Sequence, residues 1–260
     1  MKVLCVQFDV AWEDREASFA RARALLDAPA GAEASLVALP EMFSTGFSMD
    51  VPAIAEAPGG SAERFLAELA GASGAAVLGG VVTPAGDGRG RNEAVLVSAA
   101  GETLARYAKM HPFTYAGEAE HYAPGAAPVV VEVAGTYVAP FVCYDLRFPE
   151  VFRGAVLAGA EVLVLIANWP EARHGHWRTL LRARAIENQA YVVGVNRTGS
   201  DPNATYAGGS VVVDPRGAIL AEAGSEACVL AADLDLDSLR AYRQEFPAIQ
   251  DIRPGWVRRP

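Results

Sequence analysis

The chain is poor in the residues that would tie it to a disulfide framework, a structural metal, a nucleic acid or a membrane. It has only three cysteines, Cys5, Cys143 and Cys228, across 260 residues. They are too few and too scattered for a disulfide framework, and they lack the close spacing of a zinc site. Basic side chains are outnumbered 22 to 31, which leaves a formal net charge of −9. A nucleic-acid binder needs a basic face to neutralise phosphates, so this balance argues against that class and for a small-molecule ligand. It does not bar an anionic ligand, because an Arg or Lys inside a pocket outweighs a distant, screened field. No apolar run reaches the roughly 18 residues of a membrane span. The first strand turns polar at Trp12–Arg15 with no small-residue cleavage site, so the expected location is the cytoplasm.

What is present is core. Hydrophobic residues make up 52%, enough for one layered domain spanning residues 1–260. Short β-rich runs alternate with helical stretches. Strands are expected at Lys2–Asp9, Ser35–Leu39, Ala76–Val82, Asn92–Ser98, Thr103–Tyr107, Val129–Val133 and Tyr137–Val142. More follow at Val162–Ala167, Ala190–Val195, Gly209–Asp214, Ala218–Ala221 and Cys228–Asp233. Helices are expected at Arg15–Ala28, at Ser61–Ala72 with Ser61 as N-cap, from Pro149, at His174–Asn188 and near Leu236–Tyr242. This mixture fits two sheets each covered by helices, a four-layer α-β-β-α sandwich, but periodicity leaves a doubly wound three-layer sheet open. The tail 246–260, with Trp256, Arg258 and Arg259, has no period and is expected to lie across a surface.

Three residues stand where a strand gives way to a loop. Cys143 ends the run Val138–Val142 and is followed at once by Tyr144, Asp145 and Arg147, with a proline-led helix beginning at Pro149. That junction exposes a side chain and points backbone N–H groups at whatever binds there. A buried intracellular thiol usually packs as a small hydrophobe, and Cys5 and Cys228 fit that description. Glu41 follows Leu36–Pro40, and burial there would make its carboxylate a proton acceptor and donor rather than a solvated charge. Lys109 follows Leu104–Ala108. A thiol needs a base or a positive neighbour to become a nucleophile. His111, His121, His174 and His176 are therefore also open as partners of Cys143.

The strings Leu39-Pro-Glu-Met-Phe43, Tyr107-Ala-Lys-Met-His-Pro-Phe113 and Phe141-Val-Cys-Tyr-Asp-Leu-Arg-Phe-Pro-Glu150 resemble motifs of the nitrilase, or carbon–nitrogen hydrolase, superfamily. The likeness continues through Asn168-Trp-Pro170, Arg182–Tyr191 and Gly194–Gly199, covering nearly the whole chain. It implies the α-β-β-α sandwich, pairing into dimers, and a triad of Glu41, Lys109 and Cys143. A second family glutamate falls on Glu118, from its spacing to Tyr122 and Gly125, with Glu120 close by.

Cys143-Tyr-Asp-Leu-Arg-Phe-Pro149 with Asn168-Trp-Pro170 is most similar to the omega-amidase branch. That branch deamidates 2-oxoglutaramate and 2-oxosuccinamate through a cysteine thioester, with the Tyr144 N–H as an oxyanion donor and no metal or organic cofactor. Such a substrate calls for a cation, and Arg147 is the candidate; an ion pair with Glu150 is the competing reading. Arg173 and Arg178 are weaker alternatives, and Phe43, Tyr115 and Trp169 are candidate pocket walls. N-carbamoyl amino-acid hydrolysis and a catalytically silent scaffold are the other functions compatible with these residues.

Overall fold

The computed structural model describes residues 1–26 and 34–253. Strands β1 (Lys2–Gln7), β2 (Leu36–Ala38), β3 (Ala76–Pro84), β4 (Gly90–Val97) and β5 (Thr103–Ala108) lie side by side in that order. The first three run parallel, and the β3–β4–β5 meander is antiparallel. Period-two alternation sorts their side chains into two cores. Val3, Cys5, Leu36, Ala38, Leu78, Ala94 and Leu96 face inward. Leu4, Val6, Val37, Val77 and Val95 face outward, onto Phe19 of α1 (Arg15–Leu26) and Phe65, Leu66 and Leu69 of α3 (Ser61–Ser73). Phe19 and Phe65 stack with centroids 4.3 Å apart. Between them in the chain lies the one-turn helix α2 (Val51–Ile54).

The second sheet is built from β6 (Val131–Val133), β7 (Thr136–Val142), β8 (Val162–Ala167) and β9 (Tyr191–Asn196). After the hairpin β10 (Thr198–Ser200)–β11 (Thr205–Ala207), it gains β12 (Val211–Val213) and β13 (Ile219–Glu222), in the order β13-β12-β9-β8-β7-β6. Strands β7, β8 and β9 are parallel, and every residue of β8 is buried, as expected of a strand covered on both faces. One face meets the inward residues of the first sheet. Phe152 and Ala155 of α5 (Pro149–Leu157), with Trp177 and Leu181 of α6 (His174–Asn188), complete this core. Strand β14 (Cys228–Asp233) returns to pair antiparallel with β1 and leads into α7 (Leu236–Glu245). The layers are α-β-β-α, which decides between the two sheet arrangements in favour of the sandwich.

Local differences from the sequence reading have identifiable causes. The N-cap of α3 is Gly60, not Ser61; the carboxylate of Glu56 accepts from the N–H groups of Ser61 and Ala62 and from the Ser61 hydroxyl. An upstream side chain thus satisfies the orphan donors. Strand β12 is shorter than Gly209–Asp214 because the N–H of Ser210 donates to the Gln7 side chain and its hydroxyl bridges to Asn196. The expected end of α1 at Ala28 lies outside the described residues. So do Trp256, Arg258 and Arg259 of the tail, whose described part forms a short 3-10 turn at Ala248–Asp251. Among the described residues no helix is long and apolar enough to cross a membrane.

Candidate active site

Glu41, Lys109, Cys143 and Asn168 all sit just beyond carboxyl ends of strands, from both sheets. This is where open α/β sheets expose side chains to a ligand. The loop carrying Glu41 lies directly on β3: the Phe43 N–H donates to the Gly80 carbonyl (3.2 Å), and the Gly80 N–H to Pro40 (3.1 Å). A Cβ at Gly80 would run into Met42 N and Glu41 Cα, so only glycine permits this approach. Met42 takes a positive φ of 43°, turning the chain sharply after Glu41.

Cys143 opens a 3-10 turn, Cys143–Arg147, between β7 and α5. Its φ is +44°, a left-handed conformation costing on the order of 1–3 kcal/mol for a residue with a Cβ. Strain at such a junction lifts the side chain off the sheet. Hydrogen bonds within a 3-10 turn begin three residues in, so the Tyr144 N–H has no partner inside it.

Around the thiol lies a closed set of buried charges. Lys109 Nζ donates to Glu41 Oε1 (3.0 Å) and to both oxygens of Glu118 (3.0 and 2.7 Å). Asn92 Nδ2 donates to Glu41 Oε1 (2.6 Å) and Glu118 Oε1 (2.9 Å). Glu41 Oε2 accepts from Asn168 N (2.8 Å), and the Asn168 side chain also donates to the Glu41 carbonyl (2.9 Å). The Phe113 N–H donates to Glu118 Oε2 (2.5 Å). Burial opposes the charge on Lys109, but the carboxylates of Glu118 and Glu41 outweigh it and hold its proton more firmly than in a free lysine. For Glu118, burial dominates over the pull of Lys109 and moves its pKa upward, with Glu41 adding to the rise. Burial, then the neighbouring Glu41 carboxylate, raises the Cys143 thiol well above the ordinary cysteine range.

Both effects favour the neutral thiol over the thiolate in the resting protein. In the difference between wild type and Cys143→Ala, the ultraviolet absorbance of thiolate should be absent at neutral pH and appear only above about pH 9. A thiolate step below neutrality would contradict it.

Cys143 opens onto a cavity of about 600 Å³ lined by Phe47, Phe113, Tyr115, Tyr144, Trp169 and Tyr206, with Arg147 and Arg173. Glu41, Lys109 and Glu118 lie behind the cysteine, almost wholly buried, rather than in the cavity wall. Glu118 is buried and Glu120 exposed, which separates the two. Phe43 is not a pocket wall: it packs in the outer core, 6.0 Å from Phe19 and 5.8 Å from Phe65. The turn at Met42 directs it there, and Phe47 lines the cavity instead.

Trp169 lines the cavity, and Tyr115 stands at it, 83% exposed. The guanidinium of Arg147 lies 4.9 Å from the Trp169 ring and 3.3 Å from His176 Nδ1. Among the described residues no carboxylate pairs with it, Glu150 included. Arg173 stacks on Phe113 and Tyr115, whereas Arg178 pairs with Glu222 at the surface. Among the described residues no histidine lines the cavity: His111 pairs with Asp145 (2.9 Å), His121 and His176 are exposed, and His174 lies against Gly209. Cys5 is buried, with its thiol pushed up to about 12 by burial, and Cys228 is half-buried.

Asn92 was missed in the sequence, and Asn168 appeared only as part of a motif. Asn92 carried a signal: it shares the inward face of β4 with Ala94 and Leu96, a polar residue at a core position.

The model of the carbon-nitrogen hydrolase family matches residues 2–244. The chain belongs to the carbon–nitrogen hydrolase family. It is 41% identical to the omega-amidase YafV of Yersinia enterocolitica, over 96% of each chain. It is 32% identical to a 2-oxoglutaramate amidase of Bacillus subtilis, over 96% of this chain and 97% of that one. Among solved structures it matches a CN-hydrolase superfamily protein from Xanthomonas campestris that carries an arsenic adduct in its active site. That match has a TM-score of 0.93 and 34% identity, over 99% of both chains.

Proposed function

We infer that this protein hydrolyses the terminal amide of a small carboxylic or 2-oxo acid to ammonia and the acid, as an omega-amidase does. Arg147 carries the reading: a guanidinium without a carboxylate partner stands in the same cavity as Cys143, where it can hold the far carboxylate of such a substrate. Full-length similarity to an omega-amidase and a 2-oxoglutaramate amidase supports it.

Glu41 takes the proton of Cys143 as sulfur attacks the amide carbon. The charge of Lys109 and the N–H of Tyr144 stabilise the oxyanion, a contribution of about 3–4 kcal/mol for one well-placed donor in other enzymes. Collapse breaks the carbon–nitrogen bond, Glu41 returns the proton to nitrogen, and ammonia leaves. Water then adds to the thioester, giving a proton to Glu41; the acid departs and the proton returns to sulfur. Glu118 fixes Lys109 throughout. The triad is thus Glu41, Lys109 and Cys143, within one domain and, by family resemblance, in a homo-oligomer.

Ammonia release should be measured against 2-oxoglutaramate, 2-oxosuccinamate, glutaramate, succinamate and N-carbamoyl amino acids. Turnover of the first four without carbon dioxide is expected. Turnover of a carbamoyl compound alone, releasing both gases, would replace the substrate assignment. A scaffold would give neither product, nor an acyl-thioester on Cys143.

A further inference from the structure

We propose that Asn92 is a positioning residue that joins Glu41 and Glu118 into one hydrogen-bonded ring and stabilises the negative charge the two carboxylates share. The proposal rests on the triad described above and extends it by one residue.

The ring has two donors and two acceptors. Glu41 Oε1 receives Lys109 Nζ and Asn92 Nδ2, and Glu118 Oε1 receives the same two nitrogens. The side chains of Glu41 and Glu118 are fully buried, and Asn92 is 1% exposed. Two carboxylates this close share one cation, so repulsion between them favours a proton on one of them. Lys109 can offset one negative charge. Asn92 offsets the remainder without adding a charge, by giving one N–H to each glutamate.

A primary amide is suited to this position because its nitrogen carries two hydrogens in a fixed plane. A hydroxyl could serve only one glutamate, and a second cation would neutralise the pair and make Glu41 a poor base. A carboxylate would add a third acceptor. Among the described residues no donor meets the buried Oδ1 of Asn92, so the side chain is held by its donor end. Among the described residues, Lys109, Cys143 and the buried Tyr122 and Tyr206 are the other titratable groups whose charges bear on the two carboxylates.

The test compares Asn92→Ala, Asn92→Ser and the isosteric Asn92→Asp with wild type, each checked for folding by its melting curve. With 2-oxoglutaramate, kcat should fall about 10- to 100-fold in Asn92→Ala with KM little changed. The acid limb of kcat/KM should move up by about one pH unit. A readout that needs no turnover is the infrared band of a protonated buried carboxyl, assigned by its loss in Glu118→Gln. That band should persist to higher pH in Asn92→Ala, and higher still in Asn92→Asp.

A residue that merely fills space would leave the limb and the band unmoved and make the isosteric Asp the mildest change. Either result in folded variants overturns the proposal. If wild type turns over none of the amides, the functional reading fails while the infrared titration still decides the ring. If Asn92→Ala fails to fold, Ser and Asp carry the comparison.

Discussion

Replacing Cys143 with alanine should reduce amide turnover to background while leaving the fold intact. Its sulfur is the only thiol lining the cavity among the described residues. In the proposed mechanism nucleophile, base and oxyanion donors act as a unit, so removing the nucleophile should cost on the order of 10⁵- to 10⁶-fold in kcat. The structural cost is small. The thiol's hydrogen bond to the Asn168 carbonyl is long, 3.9 Å, and the positive φ at this position strains alanine no more than cysteine. Loss of stability should be about 1 kcal/mol or less, read as a shift of a few degrees in melting temperature. Cys143→Ser is a poorer control, because an alkoxide is harder to generate than a thiolate. Turnover at the wild-type rate in a folded Cys143→Ala protein would remove the cysteine from the mechanism. Mass spectrometry of the quenched wild-type reaction should show the acyl adduct, absent from the variant.

The strand-end positions of Glu41, Lys109 and Cys143 were legible because each follows a strand-forming run, and a strand end is a local property of the chain. The structure places Val3 and Cys5 on the face opposite Leu4 and Val6, although the run Val3–Val6 is apolar throughout. How many sheets those faces serve was not legible, since two-fold alternation says nothing about what lies across the inner face. Glu118 and Glu120 could not be separated by spacing alone. They share the one-turn helix α4 (Glu118–His121), where two residues subtend about 200°, so one points in and the other out. Phe43 was misplaced because a turn, not a strand, follows Glu41, and a positive φ at Met42 carries no sequence mark. Asn92 lies 51 residues from Glu41 on another strand, and only the fold brings the two together.

Lys109→Met should be the most damaging single change, removing both activity and much of the stability. The ammonium is 1% exposed and is the only cation paired with Glu41 and Glu118 among the described residues. Methionine keeps the packing but leaves two buried carboxylates facing each other. Breaking a buried pair from one side costs about 3–5 kcal/mol, a large part of the 5–15 kcal/mol that holds a typical domain folded. The sign of the pH dependence follows from Glu118, which burial already moves upward against the opposing pull of Lys109. Without the ammonium it moves further up. A carboxyl with a raised folded-state pKa adds stability below its unfolded pKa and loses it as pH rises through the folded value. The variant should therefore melt closest to wild type in mild acid and fall behind steadily toward neutral pH. Adding Glu118→Gln removes one uncompensated charge, so the double variant should recover stability at neutral pH. It should recover no activity, because the positive charge that the proposed mechanism places beside the oxyanion is still missing. Urea unfolding of the wild type and both variants across pH measures all three terms. A Lys109→Met protein as stable as wild type at neutral pH would mean that the buried ring contributes nothing to folding.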